Sequence, residues 1–165
     1  MIIAIEPGCE TGIAFINHRN QRVHLSTTLD LNEYDDPEKA TAAFKSYLIA
    51  CFEVIDIYCV VVEQPFFDKQ DKQQELIIQL TNMVHLVGYK YGKPRRELSS
   101  DETRKLLLGS TGQRENETTS DFDQKMSDVV KKKGFNPKST HEMGAAALLI
   151  AYMKKHKSKH NHHFK

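Results

Sequence analysis

Residues 2–16 read Ile2-Ile3-Ala4-Ile5-Glu6-Pro7-Gly8-Cys9-Glu10-Thr11-Gly12-Ile13-Ala14-Phe15-Ile16, and this stretch decides the fold class. An apolar run of strand length ends at an acid. A Pro-Gly pair breaks the chain, and a second apolar run starts at Gly12. The polar turn His18-Arg19-Asn20-Gln21 leads to Val23-His24-Leu25-Ser26-Thr27, which alternates as a half-buried strand does. Three strands joined by short turns predict an antiparallel meander.

Further along, Asp36-Pro37-Glu38 is a helix start, with Asp at the N-cap and Pro in the first turn. Ala40, Ala43, Phe44, Tyr47, Leu48, Cys51 and Phe52 follow at helical spacing. Ile55 to Val62, interrupted only by Asp56, is an apolar run rich in β-branched residues, the mark of a strand buried on both faces in the middle of a sheet. It too ends at an acid, Glu63, before Gln64-Pro65 breaks it. Helical spacing resumes from Asp71 to Tyr89 with Leu76, Ile77, Leu80, Met83, Val84 and Val87. Arg95–Leu98 reads as a short strand, and Ser100-Asp101-Glu102-Thr103 as a capping signal before a helix ending near Leu108. The polar segment from Gly109 to Thr119 predicts a mobile loop. An amphipathic helix over Ser120–Lys133 stops at Gly134. Thr140 caps a closing helix from His141 to about Lys155, apolar nearly all round and therefore largely buried. The order is βββαβαβααα. With no repeats and no linker composition, residues 1–153 form one domain, and residues 154–165 form a basic tail.

Composition excludes several classes. The chain has 165 residues, enough for one sizeable core. Its 39% hydrophobic and 27% charged content rules out disordered and fibrous types. No run is long enough to span a bilayer, and the opening lacks the basic segment of a secretory signal. The three cysteines, Cys9, Cys51 and Cys59, include no CxxC pair. A disulfide framework or zinc knuckle is not expected, and a reducing, cytoplasmic setting fits. The last twelve residues carry five lysines and no acid; without them 18 basic residues face 22 acidic ones, a net charge of −4. Such a tail is either a solvated end or an arm that touches phosphates.

Glu6 and Glu63 occupy the same kind of place, each at the end of a buried strand. If those strands are neighbours, both carboxylates emerge at one edge, where they repel unless a proton or a cation joins them. Hard divalent ions are the natural partners of clustered carboxylates. A pair of such ions about 3.5–4 Å apart activates water and stabilises a leaving oxygen in phosphodiester hydrolysis.

Here the chain resembles a family. Ile2-Ile3-Ala4-Ile5-Glu6-Pro7-Gly8 followed by Thr11-Gly12-Ile13-Ala14 is similar to the opening motif of the RuvC-type Holliday-junction resolvases. Val60-Val61-Val62-Glu63-Gln64-Pro65-Phe66 resembles their second motif, and His141-Glu142-Met143-Gly144 with the alanine-rich run to Ala151 resembles their third. The likeness covers nearly the whole chain. It implies an α/β, RNase H-like fold, with a mixed β-sheet of about five strands flanked by helices. It further implies a structure-selective endonuclease that resolves four-way or other branched DNA with Mg²⁺, or Mn²⁺ in its place. Glu6, Glu63 and His141 would surround the metal. Phe66 would stack on an unpaired base near the junction centre, with Phe67 beside it. Arg104, Lys105, Arg114 and Lys125 would hold phosphates. Two copies would pair through the helix at 71–89, presenting two sites to a two-fold junction.

Two positions depart from the family pattern. Glu6 stands where the family has Asp, and a misplacement of about 1 Å can cost on the order of 10²-fold in rate. Gly144 stands where the family has its last metal-binding Asp, and glycine is about 1 kcal/mol worse than alanine inside a helix. Glu142, the nearest acid, lies about 200° around the helix from Gly144 and is not placed to substitute for it. Two carboxylates and an imidazole remain, enough for one ion. The chain therefore reads either as an endonuclease or as a junction-binding protein whose cleavage site has decayed or been mutated. An RNase H-fold nuclease for other branched DNA is a third reading. A sugar-kinase-like ATP site is a fourth, weakened by a missing second phosphate loop.

Overall fold

The computed structural model describes residues 1–65, 72–110 and 119–160. Its elements are β1 (Ile2–Glu6), β2 (Glu10–Ile16), β3 (Val23–Asp30), α1 (Pro37–Val54), β4 (Cys59–Glu63), α2 (Lys72–Lys90), β5 (Arg95–Leu98), α3 (Ser100–Leu108), α4 (Thr119–Lys132) and α5 (Thr140–His160). The expected order βββαβαβααα holds throughout. The sheet runs β3-β2-β1-β4-β5. The first three strands form the antiparallel meander, and β1–β4 and β4–β5 pair in parallel. Among the described residues, no helix is long and apolar enough to cross a membrane.

Side-chain parity splits the core into two layers, since successive residues of a strand point to opposite faces. Ile3, Ile5, Ile13, Phe15, Val60 and Val62 face one layer, where Phe44 and Leu48 of α1 meet Leu76, Leu80 and Val84 of α2. Ile2, Ala4, Ala14, Ile16, Cys59 and Val61 face the other, against Ala145–Tyr152 of α5 and Met126 and Val130 of α4. Both β1 and β4 lie inside the sheet and are covered on both sides, which is why their apolar runs do not alternate. Cys51 and Cys59 are buried, as small core residues. The alanines of α5 let that helix lie close on the strands.

The local signals held, with shifts at the ends. Asp36 caps α1, accepting from the Glu38 amide, and Pro37 opens the helix. The cap of α3 is Ser99 rather than a residue of the 100–103 stretch: its Oγ accepts from the Glu102 amide at 3.1 Å. The cap of α5 is Ser139 rather than Thr140, with its Oγ 3.1 Å from the Glu142 amide. In both cases the competing hydroxyl lies one residue inside the helix, where its backbone is already helical. The Ile55–Val62 run becomes strand only at Cys59, because Ile55 caps α1. The closing helix continues to His160, so the first part of the expected tail is helical. Lys154 donates to the Leu106 carbonyl at 2.6 Å and Lys155 pairs with Glu102 at 2.6 Å, tying those turns to α3.

Candidate active site

Glu6 follows Ile2 and Ala4 in parity, and Glu63 follows Cys59 and Val61. Both carboxylates therefore emerge on the α5 face of the sheet. The parallel pairing aligns Ile5 with Val62, so the two acids end adjoining strands at the same level. Burial, reinforced by the charge of Glu63, pushes the Glu6 carboxyl up to about 8. Burial also raises Glu63, partly offset by a hydrogen bond from Ser100 and by the nearby Arg104 charge. The Glu6 Oε2 atom is buried without a hydrogen-bond partner among the described residues. A buried acceptor of this kind is costly unless something joins it.

The first turn of α5 meets these acids directly. His141 Nδ1 lies 3.8 Å from Glu6 Oε1, and His141 Nε2 lies 3.6 Å from Glu10 Oε2. Two glycines permit this approach. A Cβ on Gly12 would fall 1.9 Å from the His141 carbonyl oxygen, and one on Gly144 would fall 1.6 Å from Glu6 Oε2. Glu142 turns elsewhere. It is 7% exposed, and its Oε2 accepts from the Lys138 amide at 3.0 Å and the Ser26 hydroxyl at 3.2 Å.

Beside the acids an open cleft of about 870 Å³ is lined by Pro7, Glu63, Gln64, Gln73, Ser100 and Arg104, among others. Among the described residues no three His, Cys, Asp or Glu side chains converge as a ready-made metal cage. The donors nevertheless suit a hard divalent ion of the Mg²⁺ type. Such an ion is held by one or two carboxylates and takes its remaining ligands from water and substrate phosphate. The unpartnered Glu6 oxygen next to Glu63 meets that description.

Solved structures share this whole arrangement of strands and helices. Thermus thermophilus RuvC superposes with a TM-score of 0.75 over 96% of each chain, at 12% sequence identity. The same bacterium's RuvC in complex with Holliday junction substrate gives 0.74 over 95% of this chain and 94% of that one, at 11% identity. The yeast mitochondrial Holliday junction resolvase Ydc2 gives 0.69 over 99% of this chain and 82% of its own, at 14% identity. This is the RuvC-type resolvase fold. No protein-family model matches the chain, and no curated protein sequence does.

Within the RuvC-type frame, the residues expected at the site sort clearly. Glu6, Glu63, His141 and Gly144 come together at one end of the sheet. Arg104 lines the cleft beside Glu63. Lys105 on α3 and Lys125 on α4 are exposed. Phe66, Phe67 and Arg114 lie outside the described residues. Two residues at the site carried no expectation. Ser100, read as part of a cap signal, bonds Glu63. Glu10 opens β2 and contacts His141. Parity held the clue to Glu10, which shares the face of Gly12, Ala14 and Ile16.

Proposed function

We propose that this chain is a divalent-metal-dependent endonuclease that cuts four-way or otherwise branched DNA. One observation carries the reading: two half-buried carboxylates end adjoining parallel strands, one of them with a buried, unpartnered oxygen, and Glu63 lines an open cleft of about 870 Å³. That the fold is shared with a RuvC solved on a Holliday junction supports the substrate class. Glu6 and Glu63 hold Mg²⁺, or Mn²⁺ in its place. A bound ion of this type activates water and stabilises the leaving oxygen of a phosphodiester. His141, beside Glu6, orients that water or the ion. Arg104 holds a phosphate in the cleft, with Lys105 and Lys125 as outlying contacts. Phe66 and Phe67, which follow the cleft-lining Gln64 and Pro65 in sequence, stack on exposed bases.

Two copies pair through α2. Its inner face carries the buried Leu76, Leu80, Val84 and Val87, while Leu86 and Tyr89 on the same helix are 63% and 77% exposed. A two-fold pair offers two sites to a two-fold junction. The second reading, a junction-binding protein that does not cut, is favoured by Glu6 and Gly144, which alter the family's carboxylate set. A synthetic four-way junction and a linear duplex of the same sequence separate the two. The nuclease nicks the junction in Mg²⁺ and leaves the duplex intact, whereas a binder shifts the junction in a gel and cuts neither. Equal treatment of both substrates by binding and cleavage overturns the junction assignment.

A further inference from the structure

The two departures from the family pattern touch each other. Glu6 is one methylene longer than the family's Asp, and Gly144 lacks the side chain of the family's last Asp. The Cβ that any other residue would place at 144 falls 1.6 Å from Glu6 Oε2, 2.4 Å from its Cδ and 2.9 Å from Oε1. The whole carboxylate of Glu6 thus fills the volume where a side chain at 144 would begin.

We propose that Glu6 and Gly144 are a single exchanged unit, in which the carboxylate that the resemblance assigns to the helix is supplied from the strand. The extra methylene carries the carboxylate from β1 to the surface of α5, and the missing side chain leaves room for it there. The site is then a rebuilt one rather than a broken one. It has one carboxylate where the pattern has two, and it holds a single divalent ion with Glu63. Each departure matches the other: Asp at 6 falls short of α5, and a side chain at 144 swings the Glu6 carboxylate out of the place it fills. The metal part of this inference rests on the function proposed above; the steric part does not.

A square of four proteins tests it: the natural chain, E6D, G144D, and the E6D/G144D double variant. Each is titrated with Mn²⁺ alone, with no DNA, following thermal stability and the bound-to-free ratio by electron paramagnetic resonance. The natural chain binds one Mn²⁺ and is stabilised. Both single variants lose most of that response, and the double variant regains it, now with room for a second ion. Retention of full Mn²⁺ binding by either single variant overturns the exchange. An Ala square in EDTA (G144A, E6A and E6A/G144A) decides the steric part without any metal. G144A lowers the melting temperature of the natural chain. In the E6A background the same substitution leaves the melting temperature unchanged or raises it, because alanine is the better helix former. Equal effects of G144A in both backgrounds overturn the contact. A square that behaves as stated in a protein that never nicks a junction leaves the exchange standing and removes the nuclease reading.

Discussion

His141 Nδ1 sits 3.8 Å from Glu6 Oε1 because no side chain at Gly12 separates the first turn of α5 from the sheet. A Cβ at position 12 would lie 1.9 Å from the His141 carbonyl oxygen, which is rigid backbone rather than a movable side-chain tip. G12A is therefore expected to push α5 off the strands. The cost should be about 3 kcal/mol or more, the upper part of the range for overpacked cores. A urea melt followed by circular dichroism measures it. Cleavage should be lost even at temperatures where the variant stays folded, since His141 moves away from Glu6. A fully stable and active G12A would mean that α5 does not rest on β2 as described.

The Glu6 carboxyl makes the metal-free protein less stable as pH rises. The folded chain keeps this proton up to about 8, whereas an unfolded chain releases it near 4.5. Between those values the unfolded state binds fewer protons, so stability falls with increasing pH and levels off above the folded value. The span should be about 2–4 kcal/mol, after allowing for partial solvent access to the carboxylate. Denaturant midpoints in EDTA at pH 5 and pH 8.5 show the slope, and E6Q removes most of it. Mg²⁺ works in the opposite direction, because a cation replaces the proton and favours the charged form. A flat profile in the natural chain would place Glu6 in water.

Glu10 holds the far side of the His141 ring, 3.6 Å from Nε2. A carboxylate there orients the imidazole without touching substrate, which makes it a positioning residue. E10Q should lower cleavage by about 10- to 100-fold, the usual effect of losing a partner behind an active-site histidine. Folding stability should hardly change, because Glu10 is about half exposed. The effect should flatten in an H141A background. An E10Q effect of the same size with and without His141 would assign Glu10 another role.

The order of elements, the meander, the buried fourth strand and the shared sheet edge of Glu6 and Glu63 were readable from apolar runs, terminal acids and caps, whereas the place of His141 beside them was implied only by the resemblance to the RuvC-type resolvases. These depend on local spacing, which a chain carries on its face. Contacts between distant segments were not readable in the same way. Gly144 looks like a lost ligand and Glu6 like a misplaced one when each position is taken alone; their meeting across 138 positions gives each its sense. Ser99 and Ser139 were missed as caps because each stands next to another hydroxyl residue, Ser100 or Thr140, and only backbone angles decide between neighbours. The last turns of α5 were read as tail because charge hides helical continuity. Lys154 and Lys155 at their start are in fact held by α3.

Glu142 is a structural acid rather than a ligand, and its substitution should separate stability from metal binding. Its Oε2 accepts from the Lys138 amide and the Ser26 hydroxyl, linking the start of α5 to β3. E142A leaves those two donors without their acceptor and should cost about 1–3 kcal/mol. E142Q keeps one acceptor oxygen and should cost less. Mn²⁺ binding by folded E142Q should match that of the natural chain. A loss of metal binding in E142Q at unchanged stability would instead put Glu142 in the metal site.

Arg104 is the cation best placed to hold a phosphate, because it lines the cleft that contains Glu63 and its charge already reaches that carboxylate. Each phosphate contact releases counterions from DNA, so losing one should weaken binding and make it less sensitive to salt. R104Q is expected to reduce the slope of log affinity against log salt by about 0.9 for duplex arms, or about 0.7 where the contacted strand is single. A junction-binding titration from low to moderate salt, in Ca²⁺ to prevent cutting, measures both slopes. R104Q should also raise the Glu63 carboxyl further, since the nearby positive charge now holds it down. Higher Mg²⁺ or higher pH should then recover part of the lost cleavage but none of the lost salt slope. Recovery of both would mean that Arg104 serves the carboxylate and never touches DNA.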